Sequence, residues 1–182
     1  MDRLKAPVTG RLAFSAFLLA VATALAMADA GNTPAKAQFS QSELKTTVGA
    51  WQVRCGRPPG ARAEKCALVQ SVKAEDRKNV SLTIIFLRSF SGDKKLLRVV
   101  APLGVLLPTG LGLKIDGEDV GHAPFLKCGQ VGCVAEVVAD DKLMEKMRSG
   151  KNAIFIIFQT PEEGIGVPID LTGFGDGLTQ LN

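Results

Sequence analysis

The residue types able to do chemistry in this 182-residue chain are few: four cysteines, one histidine and a short acidic cluster. Cys128 and Cys133 have four residues between them, so they are not a Cys-x-x-Cys redox motif. No histidine flanks them to activate a thiolate, and without paired Cys-x-x-Cys units a zinc site is a poor competitor. Cys55, Cys66, Cys128 and Cys133 are therefore read as disulfide cysteines. Three connectivities are open, and the local pairs Cys55–Cys66 and Cys128–Cys133 are expected. Each would add roughly 2–3 kcal/mol by restricting the unfolded chain. Asp116, Glu118 and Asp119 lack EF-hand spacing and read as a turn rather than a cation site. His122 has no recognisable partner, and neither Gly-x-Ser-x-Gly nor His-Glu-x-x-His occurs. No catalytic, cofactor-binding or metal-binding residue is assigned, and the protein is expected not to be an enzyme.

The cysteines need strands to hold them. Phe125 to Val138 reads as two strands about a turn, Gly129 to Gly132, with Cys128 facing Cys133 across its base. Val48 to Cys55 alternates, placing Trp51, Val53 and Cys55 on one face and Gln52 and Arg54 on the other. Trp51, the single tryptophan, is expected to anchor the core. The loop Gly56 to Arg62 carries arginines and should be solvated, and Cys66 to Val72 returns as a strand. Gln38 to Thr47 is a polar lead-in, expected to be partly mobile.

Strands are also expected over Val80 to Phe90, Lys95 to Val100 and Leu111 to Ile115, the last followed by an Asp116-Gly117 hairpin signal. Pro102 to Gly110 is apolar but broken by Pro and Gly, and reads as a bent edge segment or a buried connection. Asp140 to Gly150 is the clearest helix, capped by Asp140 and ended at Gly150. Asn152 to Gln159 is nearly all apolar and suits a central strand covered on both sides. After a strand over Ile165 to Leu171, a tight turn should lead to a short helix that packs Phe174, Leu178 and Leu181 inward. The fold class is mainly β: an antiparallel β-sandwich or barrel-like sheet with one or two short helices and two disulfides.

The N-terminus sets the expected compartment. Arg3, Lys5 and Arg11 precede the apolar run Leu12 to Ala28, and small-x-small patterns follow as far as Ala35-Lys36-Ala37. Residues 1–37 read as a signal peptide and processing region, with cleavage as early as 28 allowed. The alternative, an uncleaved anchor, is disfavoured by the high Ala content and the missing basic stop-transfer cluster. Residues 38–182 then form a single domain exported across the inner membrane, with no stable membrane anchor. Removing residues 1–37 takes four basic and two acidic residues from the 22 and 18 of the whole chain, which leaves net +2. That charge is too small to argue for nucleic acid.

Several ordered features carry a resemblance. They are Trp51-Gln52-Val53-Arg54-Cys55, Cys66-Ala67-Leu68-Val69-Gln70, Pro102-Leu103-Gly104-Val105-Leu106-Leu107, Lys114-Ile115-Asp116-Gly117, Phe125 through Cys133, and Leu171-Thr172-Gly173-Phe174. Together they resemble the invasion-associated locus B family of alphaproteobacterial exported proteins, over essentially all of the mature chain. The resemblance implies a periplasmic or outer-envelope β-sandwich and, from the founding members, a link to host-cell invasion. It supplies no catalytic residues. The expected function is that of a non-enzymatic envelope protein acting through an envelope or host protein partner, without cofactor. The alternative is a periplasmic carrier of a small apolar ligand, with Pro102 to Pro108 lining its cavity.

Overall fold

The structure, a computed structural model, describes residues 42–181 apart from 76, 78 and 90. The expected signal peptide and residues 38–41 lie outside that range. Backbone ladders define the strands, and several of them, such as Trp51–Gly56 and Gly164–Asp170, also show period-two burial. In chain order they are β1 (Glu43–Val48), β2 (Trp51–Gly56), β3 (Lys65–Lys73), β4 (Ser81–Arg88), β5 (Lys95–Ala101), β6 (Leu111–Ile115), β7 (Glu118–Ala123), β8 (Phe125–Gly129), β9 (Gly132–Val138), β10 (Asn152–Phe158) and β11 (Gly164–Asp170). The helices are α1 (Asp141–Ser149) and α2 (Phe174–Leu178).

All pairings are antiparallel and fall into two sheets. The first runs β1-β2-β3-β4-β5-β9-β8 and the second β11-β10-β6-β7. The chain crosses between them after β5, β7 and β9. This is the sandwich alternative of the expected fold class, not a closed barrel. Trp51, Val53, Leu68, Leu82, Ile84 and Phe86 from the first sheet share one core with Leu113, Phe155, Ile157 and Val167 from the second. Trp51, Phe86 and Phe174 pack edge-on or tilted, with centroids 4.7–6.3 Å apart. Among the described residues no helix is long and apolar enough to cross a membrane.

Gln70 is the buried polar side chain of the core, on the inward face of β3. Its amide donates to the Ala50 and Asp170 carbonyls at 3.2 and 2.8 Å, and its oxygen accepts from the Asp170 N–H at 3.2 Å. One side chain thus ties β3 to the end of β11 across the sandwich. Close backbone approach also fixes the C-terminal turn. Gly173 has φ +83°, and a Cβ there would lie 2.4 Å from the Val48 carbonyl oxygen. The glycine of Leu171-Thr172-Gly173-Phe174 is required by both its dihedral and its neighbour.

Helix α1 begins as expected, with Asp140 accepting the Leu143 N–H at 2.8 Å and Met144 and Met147 buried. Four expectations need correction. The lead-in is β1, paired to β2 through Glu43↔Cys55 to Val48↔Trp51. Its side chains are exposed or half-buried, so it carries no burial signal, and the backbone ladder holds it. The Cys hairpin turns on two residues, not four, because Gly129 pairs with Gly132 and only Gly132 takes a positive φ, +129°. Strand β10 is central in its sheet but covered on one face only. Ala153, Phe155 and Ile157 are buried, whereas Ile154 is 38% exposed. Finally, Pro102 to Gly110 is a largely exposed connection with a 3-10 turn at Leu107–Thr109. Only Val105 and Gly110 are buried, and Leu103 and Leu107 stand in solvent.

Candidate functional site

The four cysteines form the two expected disulfides, Cys55–Cys66 and Cys128–Cys133. Each joins directly opposed residues of neighbouring strands, β2 to β3 and β8 to β9. Cys55 and Cys66 point into the core, while Cys128 is exposed on the edge strand. Among the described residues, the one cluster with metal-ligand spacing is Cys55, Glu64 and Cys66, and both its sulfurs are in the disulfide.

The acidic trio does not converge on one point. Asp116, at φ +47° in the β6–β7 turn, accepts the backbone N–H groups of Asn152 at 2.9 Å and Lys151 at 3.2 Å. Those two bonds hold its carboxyl below the usual carboxylate range. Glu118 pairs with the Lys146 ammonium, which also lowers its carboxyl. Asp119 lies opposite Lys114 across β6 and β7. Asp116 is thus a clasp between the β6–β7 turn and the start of β10. His122 is exposed on β7, at the mouth of a cavity of about 130 Å³ lined by Leu97, Leu111, Val120 and Phe155. No residue of Pro102 to Pro108 lines any cavity described for the protein.

The larger concavity lies on the outward face of the first sheet, away from Asp116, Glu118, Asp119 and His122. Its volume is about 490 Å³. The strand register builds it. One row across the sheet reads Arg54, Ala67, Leu87, Leu96, and the next Gln52, Val69, Ile85, Arg98, Glu136. Ala67, Ile85, Leu87 and Leu96 make an apolar floor. Ile85 is 1% exposed although it points away from the core. Cations ring this floor: Arg54, Arg57, Lys65, Arg88 and Arg98, against a single carboxylate, Glu136.

The rim cations are not equivalent. Arg98 holds Glu136 at 2.6 Å, and both are half-buried. The Arg54 guanidinium donates to the Ser42 carbonyl at 2.9 Å and to Gln52 at 3.1 Å. Arg57, Lys65 and Arg88 meet no carboxylate among the described residues. They gather at the end of the trough where the β2–β3 loop and the β4–β5 turn lie. The Cys55–Cys66 bridge stands at the root of that loop, and the Ala61 N–H bonds the Pro58 carbonyl within it at 3.0 Å. The disulfide therefore limits how far Arg57, Pro58 and Pro59 can swing from the floor. Short-range disulfide-braced loops of this kind present groups on a fixed scaffold.

The trough's residues are scattered from 42 to 136 and converge only through register. One signal was available: Ile84-Ile85-Phe86-Leu87 and Leu96-Leu97 are apolar at consecutive positions, so both faces of β4 and β5 carry apolar side chains.

Two in-register disulfides in a two-sheet antiparallel sandwich define a cross-braced β domain whose open face is charged at its margin and greasy at its centre. Residues 51–182 match the model of the Invasion associated locus B (IalB) protein family, and the chain belongs to that family. The likeness drawn above from the residues is borne out. An invasion protein B homolog of Brucella abortus is 29% identical over 141 residues, which span 77% of this chain and 80% of that protein. The invasion protein B of Bartonella bacilliformis is 27% identical over 146 residues, 77% of this chain and 75% of that one. The crystal structure of invasion associated protein b from Bartonella henselae shares the fold. Its TM-score is 0.60 at 19% identity, and the match covers 76% of this chain and 92% of that one.

Proposed function

We propose that this protein is exported and acts by binding rather than catalysis, in the periplasm or outer envelope, with the trough on the first sheet as its working surface. The observation that carries this reading is the group of cations Arg57, Lys65 and Arg88, which meet no carboxylate among the described residues and line the trough beside its apolar floor. Cations that meet no carboxylate and an apolar floor on an outward sheet face both favour a bound partner. The two disulfides support export, because such bonds persist in oxidising compartments. The partner is an envelope or host protein, and the names of the Brucella and Bartonella relatives support a role in host-cell invasion.

The test is crosslinked capture from an envelope extract, with the oxidised wild-type chain beside Arg57→Glu/Arg88→Glu. A partner held by wild type and lost by the variant is expected. Equal capture by both would sink the assignment of this surface. A second reading, a carrier for a small ligand, is favoured by one observation: the trough's 490 Å³ falls within the range of about 300–1,000 Å³ typical of small-molecule sites.

A further inference from the structure

We infer that the trough binds a single-chain amphiphile with an anionic head, of the long-chain carboxylate class. The inference rests on the carrier reading and names its ligand. The physical chemistry has two parts, one for each half of such a molecule.

The floor suits the chain. Ala67, Leu87 and Leu96 stand side by side on β3, β4 and β5, and Ile85 adjoins them in the next row. From Ala67 on β3 to Leu96 on β5 the floor spans two strand spacings, about 9.5 Å, enough to cover about two thirds of an extended twelve-carbon acyl chain. Covering the half-buried Ala67, Leu87 and Leu96 removes apolar surface from water on both partners, at about 25 cal/mol per Å², whereas Ile85 is already buried and adds none. A cavity of about 490 Å³ admits one such chain, not the two of a membrane-forming lipid.

The rim selects the head. Five cations line the space, Arg88 from the end of β4 with its guanidinium also donating to the Gly92 carbonyl at 3.4 Å, against one carboxylate that is already held by Arg98. A neutral head would leave the excess positive charge uncompensated, and a cationic head would be repelled. An anion entering beside Arg57, Lys65 and Arg88 gains charge-assisted hydrogen bonds at one end of the floor while its tail lies over Leu87 and Leu96. A guanidinium suits a carboxylate particularly well, because its planar fork matches the two oxygens. An acidic peptide would also satisfy the rim. It would leave the floor less well covered, so it stands as the competing outcome.

The probe is dodecanoate below its micelle threshold, titrated calorimetrically into the oxidised, signal-free chain. Dodecanol, dodecyltrimethylammonium and a glutamate-rich hexapeptide serve as comparators. One dodecanoate per chain is expected, with dodecanol at least about tenfold weaker, since a charged hydrogen bond is worth about 1.5–3 kcal/mol. Arg57→Gln/Arg88→Gln should weaken dodecanoate by about tenfold or more and leave dodecanol unchanged. Leu87→Gln should weaken both. Dodecanol binding as tightly as dodecanoate would overturn the inference, as would no heat with dodecanoate at millimolar concentration. A hexapeptide that binds where dodecanoate does not would overturn it too, while leaving the trough standing as a protein-binding surface. If trough-dependent capture from the envelope extract fails as well, the surface assignment itself falls. The comparison of heads on the wild-type protein does not depend on any variant folding.

Discussion

Replacing Gln70 with methionine should destabilise the fold by about 3 kcal/mol. Methionine has nearly the same length and shape, so the packing between the sheets is kept. What is lost is the carboxamide, which makes three hydrogen bonds at 2.8–3.2 Å to the backbone of Ala50 and Asp170. A buried hydrogen bond contributes about 1 kcal/mol net, and an orphaned partner costs about 1–3 kcal/mol. Three bonds at the lower figure give about 3 kcal/mol. Water reaching the exposed Asp170 would trim this toward 2. That is a large share of the 5–15 kcal/mol typical of a domain. The assay is urea unfolding of the oxidised protein, with Gln52→Met as the control because Gln52 is exposed on the opposite face of the sheet. At an m-value of about 2 kcal/mol/M the midpoint should fall by about 1–1.5 M for the Gln70 variant. The control should stay within about 0.5 kcal/mol of wild type. A Gln70 variant as stable as the control, with unchanged slope, would refute the idea that this amide ties the two sheets.

Other perturbations follow the same physics. Limiting phosphine should open Cys128–Cys133 before Cys55–Cys66, because Cys128 is exposed whereas Cys55 and Cys66 are 4% and 7% exposed. Alkylation and mass spectrometry read the order, and the reverse order would contradict it. Serine in place of the first pair should cost about 3 kcal/mol and of the second about 2, from the lengths of the closed loops. Gly173→Ala should destabilise by about 2 kcal/mol or more, against about 1 for Gly117→Ala. Both glycines have positive φ, but only at Gly173 does backbone fill the Cβ position, and thermal melts of the two variants decide it. Asp116 contributes through its charged form, since its N–H partners hold its carboxyl below the usual range. A carboxyl depressed in the folded state adds stability that is complete above its unfolded pKa and is lost as pH falls through the folded value. Asp116→Asn should therefore be less stable than wild type at pH 7, with the gap closing below about pH 4. A gap that persists unchanged at pH 3 would rule this out.

How much of this was legible depended on how locally each signal was encoded. Trp51-Val53-Cys55 and the Asp116-Gly117 turn could be read because alternation and turn chemistry are properties of a few adjacent residues. The disulfides followed because opposed strands placed each pair together. The role of Gln70 could not be read, since its Asp170 partner lies 100 residues away and a glutamine in a strand has no periodicity of its own. Strand β1 was missed for the opposite reason: its side chains bury nothing, and only the ladder to β2 orders it. In β10 the unbroken run Ala153 to Phe158 cannot distinguish two covered faces from one. Ile154 stands partly in solvent beside Pro168 of the edge strand. The trough is the extreme case. Arg54, Lys65, Arg88 and Arg98 sit on four different strands, and each alone reads as an ordinary surface cation.

The measurement closest to the central claim is site-specific photo-crosslinking of the full chain produced in its own cells. A photoreactive residue is placed at Leu87 or Leu96 on the trough floor, or at Ile154 on the outward face of the second sheet. Adducts of defined mass are expected at 87 and 96 and absent at 154. Adducts at 154 with none at 87 or 96 would contradict the assignment of the first sheet's outer face as the working surface.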